Sequence, residues 1–163
     1  MRALSALIVA AAMTAAVPAH ASEAEFLETL EGNWAGSGSI RLKPDQEPVN
    51  VNCDLSSDAS AERLSMDGNC NAMIVMSRAI GADLSVDGET YSGTYTGSPR
   101  GPASLSGNRS GDTVNLAVAW PETGREASMQ LSSSGNALQI VTTEAHPETG
   151  EPVVTAQLSF ERQ

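Results

Sequence analysis

Along most of the chain apolar and polar residues alternate one for one, the pattern of a strand with one face buried and the other in water. Trp34, Gly36, Gly38, Ile40 and Leu42 share one phase, Val49, Val51, Cys53 and Leu55 the next, and Leu64, Met66, Gly68 and Cys70 a third. The alternation continues through Ala82, Leu84 and Val86, then Tyr91, Gly93 and Tyr95, then Ala103 and Leu105, then Val114, Leu116, Val118 and Trp120. Met129 with Leu131, Leu138 with Ile140, and Val154, Ala156, Leu158 and Phe160 complete the series. Turn-forming stretches separate the runs: Asp87-Gly88, Ser98-Pro99-Arg100-Gly101-Pro102, Ser110-Gly111-Asp112 and Ser134-Gly135-Asn136. The pattern predicts about nine or ten short strands joined by tight turns, an antiparallel barrel or sandwich. Sequential hairpins favour an up-and-down meander, and closing it leaves no edge strand free to aggregate. The expectation is therefore an all-β barrel of about 8–10 strands, with Gly36, Gly38, Gly93, Gly97 and Gly107 letting the strands coil.

Two segments break the alternation. Ser22-Glu23-Ala24-Glu25 matches a capping box, and Phe26, Leu27 and Leu30 then supply a helical apolar stripe that Gly32 can end. A short helix is expected there. Met73, Ile74, Val75, Met76 and Ile80 are apolar on both phases, as either a strand buried on both sides or a short plugging helix would be.

Ahead of the helix, Arg2, an apolar run over residues 3–17 and the sequence Pro18-Ala19-His20-Ala21 compose a secretory leader with small residues at the cleavage positions. The apolar run is shorter than the roughly 20 residues that cross a bilayer. Cleavage after Ala21 is expected, leaving residues 22–163 as one domain in a bacterial periplasm or beyond, with no membrane span. The formal charge of -11 becomes one unit more negative when Arg2 is lost, which disfavours nucleic acid and anionic lipid as partners.

Cys53 and Cys70 are the only cysteines, an even count in a chain bound for an oxidising compartment. If the second and third strands form a hairpin turning near Ala61, the two face each other, and a disulfide is expected. Pro121-Glu122-Thr123-Gly124 recurs as Pro147-Glu148-Thr149-Gly150. The repeat reads as a favoured turn, proline setting one dihedral and glycine taking a positive one, ahead of a duplicated binding loop.

Gly32-Asn33-Trp34-Ala35-Gly36-Ser37-Gly38, opening the first strand just after a short helix, resembles the start of the lipocalin-like (calycin) barrels and also that of the nitrobindin-type haem barrels. The resemblance implies a barrel in which the Trp34 indole packs across the closed end. The haem barrels take an axial histidine from their C-terminal part, for which His146 is the candidate here. It sits in a turn beside Pro147, and no haem or other cofactor is expected.

Little catalytic chemistry is available. After the leader His146 is the sole histidine, so no multi-histidine metal site can be built, and a histidine-based triad would rest on one turn residue. Asp54, Asp58, Glu62 and Asp67 read as a solvated face and not as an acid–base pair. The only lysine, Lys43, lies beside Pro44 in a loop, and no base is placed to activate a serine. The leading expectation is a non-catalytic exported protein whose barrel holds a small apolar molecule, with Trp34, Ile40, Met66, Leu116, Met129 and Ile140 on the inner wall. Two alternatives stand beside it. One is a protein-binding module like the periplasmic metalloprotease inhibitors, which are also small barrels with an early Gly-x-Trp and one disulfide. The other is a structural protein of the cell envelope.

Overall fold

A computed structural model describes residues 19–72 and 76–163. The expected leader, residues 1–21, lies outside them except for 19–21, which open the helix α1, Ala19–Glu28. Ser22 therefore sits inside the helix and not at its cap. Ala19 and Ala21 are strong helix formers, and the helix begins ahead of Ser22.

Ten strands follow: β1 Gly32–Ile40, β2 Val49–Ser60, β3 Arg63–Ala72, β4 Met76–Asp87, β5 Thr90–Thr96, β6 Ala103–Ser110, β7 Thr113–Trp120, β8 Arg125–Ser134, β9 Ala137–Ala145 and β10 Pro152–Arg162. Each pairs antiparallel with its neighbour in sequence, and β1 pairs with β10 to close the barrel, as the meander pattern predicts. The ambiguous apolar stretch resolves, from Met76 on, as the start of the long strand β4; residues 73–75 lie outside the described residues.

The strand ends define two rims. One carries α1, the starts of β1, β3, β5, β7 and β9, and tight turns such as Gly88, Gly111 and Gly135, all at positive φ. The other carries the longer connections 41–48 and 97–102 and the two proline turns. Both proline turns end on a glycine at positive φ, Gly124 at 63° and Gly150 at 73°, which is the structural reading of the repeat.

The inward phase matches the alternation through nine strands and slips in two places. In β10 the register with β9 shifts between Val154 and Ala156, so Thr155 is buried and Val154 is exposed, reversing the expected role of Val154. A bulge inserts one residue and turns the side chains beyond it to the other face. Leu42 lies past the end of β1 and is exposed, because the loop leaves the wall there. Inward glycines make room for tight coiling: a Cβ on Gly38 would stand 2.0 Å from the Gln157 carbonyl oxygen, and one on Gly93 would stand 1.9 Å from that of Asp83.

The disulfide joins Cys53 and Cys70, which face each other directly across β2 and β3. Outward positions such as Asn50, Asn52, Asp54, Ser56 and Asp58 are exposed and polar. The outward face of β2 is thus polar along its length. No helix among the described residues is long and apolar enough to cross a membrane.

Candidate functional site

The two ends of the barrel are built differently. At the α1 end the interior is filled: Leu27, Leu30, Trp34, Leu64, Tyr91, Val114, Leu138 and Phe160 are all below 2 % exposed, or at it for Phe160. The helix lies across this end and its last turn tightens through short-range bonds from Thr29 and Leu30 to the carbonyls of Phe26 and Leu27. Gly32, at φ 127°, then turns the chain into β1. Trp34 donates its Nε1–H to the Leu30 carbonyl at 3.1 Å, and the Arg162 guanidinium lies 4.2 Å over its ring. Arg162 also donates to the Glu31 and Thr29 carbonyls, answering the exposed acceptors at the end of the helix.

A polar clamp completes that seal. Glu23, 1 % exposed, accepts from the Tyr91 hydroxyl and, at 2.7 Å, from Arg109 Nε. Arg109 lies 4.8 Å over the Phe26 ring as well. Burial of Tyr91, its hydrogen bond to Glu23 and the charge of that carboxylate all push the phenol well above its ordinary 10.0, against the opposing pull of Arg109.

Toward the other rim the inner wall stays in reach of water. Ile40, Val49, Ile80, Ala82, Tyr95, Ala127, Met129 and Ile140 lie on inward phases and are only partly buried. Of the six wall residues expected from sequence, all point inward. Trp34, Met66 and Leu116 are buried, while Ile40, Met129 and Ile140 are half-buried. Trp34 belongs to the sealed end and the half-buried three to the open part. Burial raises the Tyr95 phenol, with Arg78 pulling it the other way.

A charged cluster crosses this mouth. Glu144 continues the inward phase of Leu138, Ile140 and Thr142 at the end of β9 and is 4 % exposed. Its Oε1 lies 3.2 Å from Arg100 Nη1 and its Oε2 lies 3.1 Å from Arg125 Nη2. Arg125 opens β8 directly opposite Trp120, the last residue of β7. Arg100 comes from the 97–102 loop, whose shape is set by Gly97 and Gly101 at positive φ and by bonds from the Arg100 and Gly101 amides to Ser98. That turn lays the guanidinium 5.2 Å above the Trp120 ring, with Nη2 reaching the Leu42 carbonyl at 3.4 Å. Trp120 is 4 % exposed and its Nε1–H has no hydrogen-bond partner among the described residues.

Sequence reasoning noted Arg100 only as part of a turn and left Arg125 and Glu144 unremarked. The available signal was phase: Arg125 precedes Ala127 and Met129 on their own face, and Glu144 follows Thr142. His146 lies in the β9–β10 turn, where its Nδ1 accepts from the Glu148 and Thr149 amides. Asp54, Asp58, Glu62 and Asp67 are exposed. Among the described residues no group of three or more His, Cys, Asp and Glu side chains is placed to hold a metal.

Two depressions of the surface lie away from the mouth. One of about 640 Å³ runs along the outer wall by Ser106, Asn108, Asn115, Ser128 and Gln130. Another of about 440 Å³ lies among Ser39, Asn50, Asn52 and Gln157. Both are shallow and open, and neither includes Trp120 or Ser57, whose buried donors lack partners. The mouth is the stronger candidate because its chemistry is incomplete, which a shallow dip between polar strands is not.

No protein-family model and no curated protein matches the sequence. Solved structures do match in shape. Rv2717c from M. tuberculosis superposes with a TM-score of 0.65 at 15 % identity, over 90 % of this chain and 98 % of its own. The S-type phycobiliprotein lyase CPES from Guillardia theta superposes with a TM-score of 0.56 at 16 % identity, over 85 % of this chain and 90 % of its own. Likeness at such identities is likeness of fold, and it agrees with a calycin-like barrel of ten antiparallel strands closed at one end by a short helix.

Proposed function

We propose that this protein is an exported, non-catalytic binding protein that takes a small, largely apolar molecule into its barrel through the rim opposite α1. The carrying observation is the asymmetry of the inner wall: Ile40, Ile80, Tyr95, Met129 and Ile140 point inward and yet keep access to water, whereas the helical end is packed shut. Apolar surface left wet inside a rigid wall is stabilised by an apolar occupant. Methionine on that wall adapts to ligands of different shape. That a phycobiliprotein lyase is built on a similar barrel supports a small-molecule role. The inhibitor reading needs a free N-terminal segment, and Phe26, Leu27 and Leu30 are buried in the barrel, so it has no observation in its favour.

Native mass spectrometry of protein released gently from a periplasm tests the proposal. The expected result is a chain starting at Ser22 that carries a small-molecule adduct lost on collisional activation. Protein that is empty on release, and that then binds neither an apolar dye nor an alkyl chain, would end the carrier reading.

A further inference from the structure

Building on the carrier reading, we propose that the mouth recognises a carboxylate: the ligand is an amphipathic acid whose head is held by Arg100, Arg125 and the Trp120 indole N–H while its apolar body points into the barrel. Three observations converge on this.

The first is the unpartnered donor. The protein has two tryptophans, one at each end of the barrel, each buried and each overlaid by an arginine. Trp34 gives its Nε1–H to the Leu30 carbonyl, whereas the Trp120 Nε1–H meets nothing among the described residues. A donor buried without an acceptor is costly, and such groups commonly mark a place where a ligand or water completes the bond.

The second is charge balance. Two guanidiniums face one carboxylate, and Glu144 meets them end-on, one oxygen to each, instead of filling either fork. Arg125 engages only Nη2, so the cluster keeps both a surplus positive charge and free donors. A second carboxylate would supply the missing charge and accept in the forked geometry that guanidinium favours. Arg78 adds to the surplus. It lies on the inward phase of β4 and donates to the Gly97 carbonyl at 3.3 Å, at the root of the loop that carries Arg100.

The third is where the surplus sits. In a chain of formal charge -11, Glu144 is the only acidic residue among the described residues on the inward phases near this rim, while Asp45, Glu47, Glu122, Glu148 and Glu151 are exposed on the surrounding connections. A net-acidic surround, in which Lys43 is the exposed cation of the same connections, encloses arginines turned into the mouth and favours an anion that can leave water, and so an acid with an apolar tail.

The test uses the mature chain labelled with ¹⁵N, which gives one indole N–H signal from each tryptophan, assigned with Trp34→Phe and Trp120→Phe. Decanoate and 1-decanol are titrated as matched probes. Decanoate is expected to bind about tenfold more tightly and to move the Trp120 indole signal while leaving that of Trp34 in place. Arg125→Gln, and separately Trp120→Phe, should weaken decanoate far more than decanol and so erase most of that preference. Using both variants guards against one that folds poorly, with far-ultraviolet circular dichroism as the control. Equal affinity for acid and alcohol would overturn the carboxylate subsite and leave the carrier reading standing, as would tight decanoate binding that leaves the Trp120 signal still. Failure of both probes to bind would overturn both.

Discussion

The sealed and open ends of the barrel are assembled from the same parts and differ in whether those parts are satisfied. Each end has a buried tryptophan under an arginine and a buried inward carboxylate bridged to arginine. At the sealed end the Trp34 donor is bonded, and Glu23 is shared between one guanidinium and one phenol with side chains 2 % and 10 % exposed for the carboxylate and Arg109. At the mouth the Trp120 donor has no partner among the described residues, and Glu144 holds two guanidiniums that are 18 % and 34 % exposed. The first arrangement satisfies its tryptophan and its carboxylate and so rigidifies, with the Ser57 hydroxyl opposite Gly32 left unpartnered among the described residues. The second leaves donors and charge over, as a site that must exchange its occupant does.

Packing should separate the ends most sharply. Phe160→Ala removes a ring 2 % exposed beneath the helix, and a loss of about 3–5 kcal/mol of stability is expected. Met129→Ala, on the half-buried wall, should cost only about 1–2 kcal/mol, because water already reaches the site and less apolar surface is lost. Urea denaturation of the two variants checks this. Equal losses would mean that the wall near the mouth is as tightly packed as the seal.

The disulfide comes next. Cys53 lies opposite Gly36 and Cys70, on the mouth side of Trp34 and Leu55, so it braces the open half of the wall. Replacing both cysteines with alanine should cost about 3 kcal/mol, the chain-entropy value for a loop of this size. Amide exchange should then quicken at Val51 and Ala72 well before it does at Leu64, next to the β2–β3 turn. A uniform increase along both strands would assign the bridge to the whole barrel.

The alternation was enough to place the strands, the disulfide and the helical stripe, because a two-residue period and a polarity contrast are local properties. Three features escaped it. The bulge at Val154–Ala156 changes phase without changing composition, so Val154 reads as inward until the register is known. Leu42 reads as a continuation of β1 because nothing local ends that strand before Pro44. The mouth cluster escaped for a further reason: charged residues on a strand are assigned to solvent by their polarity, and only counting phase from Met129 back to Arg125 and from Leu138 on to Glu144 puts them inside. Arg100 was beyond reach, since a loop residue has no phase.

A third difference between the ends is their response to base. The folded state holds the Tyr91 proton above the ordinary 10.0, while the unfolded chain releases it there. The unfolded state then binds fewer protons, so this contribution is complete below pH 10 and is lost as pH rises further, at about 1.4 kcal/mol per pH unit. Tyr91→Phe should flatten the fall in stability between pH 10 and 11, leaving what Tyr95 contributes, a phenol that burial also raises against the pull of Arg78. Urea midpoints across that interval decide it. An unchanged slope would remove Tyr91 as the titrating group.

The smallest effect is the most telling about the mouth. If Glu144 serves to hold the barrel together, Glu144→Gln should behave like the loss of a buried partner, which commonly costs about 3–5 kcal/mol because a charge is stranded. If it is a resident anion that keeps Arg100 and Arg125 paired in the unoccupied protein, both guanidiniums can turn to water, since each is already partly exposed. The loss should then stay below about 1 kcal/mol, as for pairs at a surface. Glu23→Gln gives the internal reference, because Arg109 is 10 % exposed and would retain only the Gly111 carbonyl at 2.7 Å and, as a counter-charge, the exposed Glu89 at 3.8 Å, so a loss of about 2 kcal/mol or more is expected there. Thermal melts of the two glutamine variants compare the ends directly. A Glu144→Gln loss as large as that of Glu23→Gln would show that the mouth is clamped like the seal, and would remove the asymmetry from which its binding role is argued.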